Sequence, residues 1–412
     1  MVSPESVGMS SERLARVRPA VEKHVGSDKL AGAVTLLARR GEIVHLDCAG
    51  LMDRESNKPM QPDTIFRLYS MTKPITCVAL MTLYERGLVR LADPVARFIP
   101  AFGGLKVYGG GEGSEVKLVD LQRPVTVHDL LTHTSGLTYH WLEYGPVEAM
   151  YREAAASSRV PLSEFVAHLV QLPLAFQPGA AWRYSVGHDV VAHLIERIGG
   201  QPLDVYLREH LFEPLGMADT GFYVPQGKLE RFAAMYGSFD VAEGDTSLTK
   251  WYGGAMAGMN RLLAGPTDSL ESRPHTLFRG GNGLVSTASD YWRFCQMLLN
   301  QGELDGARIL GRKTVELMVA NHLAPRMLPY ELGGVYQLGC GYGLGFQVLM
   351  DVGQSQISGS VGTYGWSGAA STNFWVDPVE KLIGIQMAQF QPSSYHMIAD
   401  DLRVTAYQAI VD

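Results

Sequence analysis

The chain has 412 residues, 46% hydrophobic and 19% charged, the balance of a compact globular protein that buries a large core and leaves room for a deep cleft. Its net charge of −7 comes without a basic run, which argues against a nucleic-acid partner, since neutralising phosphates needs clustered Lys and Arg. No apolar stretch approaches the roughly 18 residues of a membrane span. The opening MVSPESVGMSSERLARV has neither the basic start nor the apolar stretch of a signal peptide, so no membrane partner and a cytoplasmic location are the expectations.

In chain order, Pro4 to Val25 reads as a helix, with Leu14, Val17 and Val21 at helical spacing. Ala31–Ala38 and Ile43–Cys48 are β-rich runs around Arg39-Arg40-Gly41-Glu42, the pattern of a hairpin. The middle of the chain reads as helices near Val127–Leu131, Leu162–Leu172, His188–Ile198, Leu203–Leu211, Ala288–Leu299 and Lys313–Val319. Gly103–Glu115 and Asp240–Pro274 are the longest irregular stretches, of a length often used for the walls of a site. Strands are expected again at Gly343–Met350, Ile357–Val361, Ser371–Val376 and Leu382–Gln389, the last two joined by a turn at Asp377-Pro378-Val379-Glu380-Lys381, before a final helix from Tyr395 to Val411.

Strands at both ends with helices between predict an α+β fold. N- and C-terminal strands pair in one antiparallel sheet flanked by helices (residues 1–90 and 280–412), and a mainly helical domain is inserted at 91–279. A cleft is expected at their junction. The four cysteines, Cys48, Cys77, Cys295 and Cys340, form no CxxC pair and read as buried reduced thiols. His188 and His193 lie five apart on a helical segment without a third ligand, so neither a metal nor a cofactor is expected.

The most informative segment runs from Arg67 to Gly87. Serine suits its start, Pro74 is tolerated only within about the first helical turn, and Gly87 suits its stop. Ser70 and Lys73 are three apart and so share a helix face, beside the positive end of the helix dipole. First-turn amides there are the donors that an oxyanion formed by serine attack requires. An amine held in an apolar helix resists charging and, when neutral, would accept the serine proton. The four-letter pattern alone also fits a helix-capping serine beside a solvated lysine.

Tyr69-Ser70-Met71-Thr72-Lys73 resembles the nucleophile motif of the serine β-lactamase and penicillin-binding-protein superfamily. Val127 to Leu137, with Thr132-His133-Thr134-Ser135-Gly136, resembles its signature turn, and Phe176-Gln177-Pro178-Gly179 followed by Trp182-Arg183-Tyr184-Ser185 its second motif. Pro214-Leu215-Gly216-Met217, Gly281 to Thr287 and Tyr364-Gly365-Trp366-Ser367-Gly368-Ala369 are further family segments, the last standing where the third motif belongs. Within the superfamily the chain looks most like the family VIII carboxylesterases, which share the class C β-lactamase fold. The resemblance implies Ser70 as nucleophile, Lys73 and Tyr184 as its proton-transfer partners, and the backbone amides of Ser70 and Ala369 as the oxyanion hole. It leaves open whether lysine or tyrosine is the base, because the two would titrate as a coupled pair.

Two departures bear on substrate. Val186 stands where β-lactamases carry asparagine in the second motif, and Trp366 where they carry the third-motif lysine that holds an anionic carboxylate. An apolar face with one N–H donor favours a neutral, hydrophobic group instead. The resemblance thus implies a serine carboxylesterase for small esters, with an acyltransferase, a β-lactamase or D-amino-acid peptidase, and a non-catalytic binding module as rivals. Trp366, Ser367, Gly368, Tyr139, Trp251 and Tyr252 are candidates for the substrate pocket, His140 and Trp141 fit either packing or pocket, and Trp182 reads as packing under Tyr184. Ser367 is one substitution short of the GxSxG elbow, which needs a strand-turn-helix setting, and His133 reads as a hydrogen-bonded turn residue.

Overall fold

The N-terminal hairpin is the seed of the main sheet. In the computed structural model, which describes residues 1–26, 29–142, 144–154, 160–238, 261–393 and 395–412, β1 (Gly32–Arg39) and β2 (Glu42–Asp53) meet at Arg40 and Gly41. Their φ values of 54° and 88° match the twist of a tight antiparallel turn. With β3 (Lys58–Pro59), β4 (Cys340–Tyr342), β5 (Gln347–Leu349), β6 (Tyr364–Gly368), β7 (Thr372–Asp377) and β8 (Leu382–Ala388) they form an eight-stranded sheet among the described residues, in the order β4-β5-β6-β7-β8-β1-β2-β3. Every neighbouring pair is antiparallel. The expected union of chain ends is the β1–β8 ladder, running from Ala33 opposite Ala388 to Arg39 opposite Leu382.

Alternation along β1 assigns its two faces. Val34, Leu36 and Ala38 join the larger buried cluster, whereas Ala33 and Leu37 join the smaller one. The larger cluster lies under the helices α1 (Thr72–Glu85), α2 (Val127–Leu131), α3 (Gly187–Gly199) and α4 (Ala288–Leu299). Of these α4 packs on β8 and β1, and α1 packs on α3. The opposite face is covered by α5 (Ile398–Tyr407) and a helical turn at Val17–Glu22, through Leu402, Ala406, Val17 and Val21. No helix among the described residues is long and apolar enough to cross a membrane.

Several boundaries differ from the sequence expectation. The opening helix is three short pieces, Pro4–Val7, Ser11–Leu14 and Val17–Glu22, because Gly8 turns left-handed at φ 75° and Met9 bridges to Ile410. Gly343–Met350 is broken by Gly345 at φ 90° into the turn between β4 and β5. Ile357–Val361 is no strand: Gly359 and Gly362 both have positive φ, and the strand falls at Tyr364–Gly368. The helix from Leu203 is α-helical to Leu207 and then widens into a π turn at Arg208–Phe212 before Pro214, which has no N–H to continue an ordinary ladder. The last helix starts at Ile398 rather than Tyr395. Part of Gly103–Glu115 is ordered as Lys106–Gly110, paired with Lys117–Asp120. In Asp240–Pro274, Arg261–Ala264 pairs with Met235–Gly237; Trp251 and Tyr252 lie outside the described residues.

Gly384 on β8 faces Trp375 on β7, and a Cβ there would come within 2.2 Å of the indole. Overpacking of this kind costs roughly 1–3 kcal/mol. Gly384→Ala is expected to lower the unfolding free energy by that amount and so to lower the urea midpoint, and an unchanged midpoint would show that the Trp375 ring relaxes freely.

Candidate active site

Ser70 lies in a tight turn, Tyr69–Met71, that runs straight into α1; Tyr69 opens it at φ 47°. Pro74 is the third residue of α1, where its missing N–H is harmless. Two other parts of the chain hold this turn. The Tyr291 hydroxyl on α4 donates to the Met71 carbonyl at 2.9 Å, and Phe66–Arg67 pairs with Val285–Ser286. That pairing draws the segment 280–284 along α1, where the Thr76 hydroxyl donates to the Gly280 carbonyl at 2.9 Å.

Lys73 is buried, with 1% of its surface exposed. Its Nζ donates to Ser70 Oγ at 3.2 Å and to the Gly281 carbonyl at 2.7 Å, and stands 4.5 Å from the Tyr184 ring centre and 5.3 Å from that of Tyr139. The Tyr184 hydroxyl donates to Ser70 Oγ at 2.7 Å. Hydroxyl, amine and phenol from two distant stretches of chain therefore converge on one oxygen. Gly281 carries a second connection: its N–H donates to Asp189 Oδ1 at 2.9 Å, and burial pushes that carboxyl above the usual carboxylate range. Asp189, at the start of α3, was not singled out from the sequence; its one local signal is a carboxylate in the first turn of a largely buried helix.

The third-motif strand lies against the serine turn. A Cβ on Gly368 would sit 2.2 Å from the Leu68 carbonyl oxygen, and the Thr372 hydroxyl donates to that same oxygen at 3.2 Å. Ala369 follows β6 directly, and among the described residues neither its amide nor that of Ser70 has a hydrogen-bond acceptor. Trp366 points back into the core, its ring 5.7 Å from Tyr184 and 5.2 Å from Tyr342. Ser367 faces outward, and β6 passes through a turn into β7, not into a helix, which removes the elbow setting.

Beside the serine turn is a cavity of about 260 Å³ walled by Tyr69, Tyr139, Trp141, Val186, Asp189 and Leu284, among others. Tyr139 thus lines the pocket, as do His140 and Trp141, whereas Trp366 and Ser367 border a smaller cavity of about 110 Å³ with Asn373 and Arg403. Trp182 stacks near Tyr184 at 6.2 Å and also packs on Tyr330. His193 pairs with Glu196 at 3.5 Å, and among the described residues no group of three or more His, Cys, Asp or Glu is placed to hold a metal.

His133 and His188 are fully buried with ring centres 4.5 Å apart; His133 bonds the Ser185 hydroxyl through Nδ1. Burial first, and then neighbouring positive charge, holds both rings well below the usual histidine range. They are neutral in the fold, whereas in the unfolded chain a histidine takes a proton near pH 6.5. The unfolded state therefore binds the extra protons. Stability that is full above about pH 6.5 is lost as the pH falls below it, by up to about 1.4 kcal/mol per pH unit for each ring. The urea midpoint is expected to drop between pH 7 and pH 5, with a shallower slope in His188→Leu; equal slopes in the two proteins would contradict a neutral His188.

Comparison with known proteins gives the family. The family described as Beta-lactamase matches residues 17–408. The protein Rv1367c of Mycobacterium tuberculosis is 33% identical over 389 residues, covering 92% of this chain and 89% of that one. Esterase EstB of Burkholderia gladioli is 30% identical over 434 residues, covering 99% and 98%. Among solved structures, EstCE1, described as a hydrolase with promiscuous acyltransferase activity, superposes with a TM-score of 0.78 at 25% identity over 96% of this chain and 99% of its own. The chain belongs to the beta-lactamase family and is a serine hydrolase.

Proposed function

We propose that the protein is a carboxylesterase that hydrolyses small, neutral carboxylic esters through an acyl-enzyme on Ser70. The observation that carries this reading is the contact of one serine oxygen with both the Lys73 amine and the Tyr184 phenol. Ser70 Oγ attacks the ester carbonyl while its proton passes to the Lys73–Tyr184 pair. The carbonyl oxygen becomes an oxyanion facing the Ser70 and Ala369 amides. Collapse breaks the C–O bond to the alcohol, which leaves with the proton returned from the pair. Water then gives up a proton to the same pair, attacks the acyl carbon and releases the carboxylic acid and Ser70. Tyr184 at 2.7 Å and Lys73 at 3.2 Å both reach Ser70 Oγ, so the serine proton can pass to either member of the pair.

Substrate class follows from what stands in place of charge. Trp366, ringed by Tyr184 and Tyr342, offers no cation to a carboxylate, which favours an uncharged acyl or alcohol group over a β-lactam. The cavity beside the serine turn sets Tyr139, Trp141, Val186 and Leu284 beside the charged Arg67, Asp189, Glu271 and Arg279. The likeness to EstB supports ester hydrolysis, and the likeness to EstCE1 supports a secondary capacity to pass the acyl group to an added alcohol.

The reading predicts turnover of p-nitrophenyl butyrate well above that of a chromogenic cephalosporin. Ser70→Ala is expected to abolish ester hydrolysis and the stoichiometric fluorophosphonate adduct seen by intact mass. Tyr184→Phe is expected to lower kcat by about 10²–10⁴-fold, the usual worth of a positioned proton-transfer group. An adduct that persists in folded Ser70→Ala protein would overturn the assignment of the nucleophile.

A further inference from the structure

Tyr184 occupies a stretch, residues 175–186, that forms neither helix nor strand, so no backbone ladder fixes its side chain. Its phenol nevertheless meets Ser70 Oγ at 2.7 Å. One residue outside that stretch contacts three successive positions of it. The His133 carbonyl accepts the Arg183 N–H at 2.9 Å, the His133 ring packs on the Tyr184 ring at 4.8 Å, and His133 Nδ1 bonds the Ser185 hydroxyl at 3.0 Å. Residue 133 does this from a left-handed backbone, φ 59°, just beyond α2. That conformation is uncommon outside glycine but less so for histidine and asparagine. The turn continues the grip on either side: the Thr134 carbonyl accepts from Gly179 and the Gly136 carbonyl from Ala175, both at 2.7 Å.

The Ser185 contact pairs two buried groups. Ser185 is fully buried, its oxygen accepts the Gly187 N–H at 3.3 Å, and its hydroxyl meets His133 Nδ1 at 3.0 Å. A phenylalanine or leucine at 133 would fill the space beside Tyr184 but leave the Ser185 hydroxyl unpaired.

We infer that His133 is a positioning residue for proton transfer: by holding Arg183, Tyr184 and Ser185 together, it fixes the Tyr184 hydroxyl at bonding distance from Ser70. The inference rests on the reading of Ser70 and Tyr184 given above. Because a misplacement of about 1 Å can cost on the order of 10²-fold in rate, His133→Ala is expected to lower kcat by roughly tenfold or more with KM little changed. His133→Asn keeps the left-handed turn and a group near the Nδ1 position, and is expected to recover part of that loss.

The deciding measurement is a double-mutant cycle with Tyr184→Phe, read as kcat for p-nitrophenyl butyrate and as the rate of fluorophosphonate labelling of Ser70, which stays measurable at low activity. If His133 acts through the Tyr184 hydroxyl, His133→Ala has little further effect once that hydroxyl is gone. The same fold-loss in both backgrounds would make His133 merely structural and overturn the inference, as would wild-type kcat in folded His133→Ala. Should His133→Ala fail to fold, Ser185→Ala removes the same hydrogen bond from its other end. It is then expected to lower kcat severalfold in the wild-type background only, and unchanged kcat overturns the inference. Full activity in Tyr184→Phe itself would instead bring down the functional reading beneath it.

Discussion

A buried amine needs acceptors, and much of this structure is arranged to give Lys73 two of them. One is the Ser70 oxygen, three residues back on the same helical face; the other is the carbonyl of Gly281, more than two hundred residues away. The second bond requires the backbone at 280–281 to approach α1 and α3 closely. A Cβ on Gly280 would come within 2.2 Å of the His188 carbonyl oxygen, so only a residue without a side chain fits. Gly281 itself makes both contacts, its carbonyl accepting from Lys73 and its N–H donating to the Asp189 carboxylate. Two tyrosine ring faces complete the surroundings of the Lys73 amine.

What the sequence made legible was local. The Ser70–Lys73 spacing, the tolerated Pro74 and the stop at Gly87 follow from helix geometry, and the Arg40–Gly41 turn from hairpin chemistry. The pairing of N- and C-terminal strands followed from element order alone. Tyr184 was different: nothing about a tyrosine in an irregular segment says that it reaches Ser70, and only the resemblance of several ordered motifs brought it forward. Asp189 and Gly281 were missed as a working pair because their meaning lies in a contact between segments. The strand expected at Ile357–Val361 shows the limit of periodicity, since two left-handed glycines there outweigh an apolar pattern, while the true strand was quoted as a motif and not read as β.

Aromatic rings crowd the site. Tyr184 is surrounded by His133, Tyr139, Trp141, Trp182 and Trp366, all with ring centres within 6.2 Å. Rings held by one another lose little freedom when a ligand arrives.

The ladder between Ala33 and Ala388 also has a consequence in time. During synthesis β1 and β2 emerge early, and β1 keeps an open hydrogen-bonding edge until β8 has left the ribosome. Contacts this distant in sequence are slow to form, because the intervening chain must be ordered before they reward it. The central strand of the sheet is therefore one of the last to be sealed. The first hairpin spends its early life as an unpaired apolar ribbon, the species on which chaperones act and from which misassembly begins.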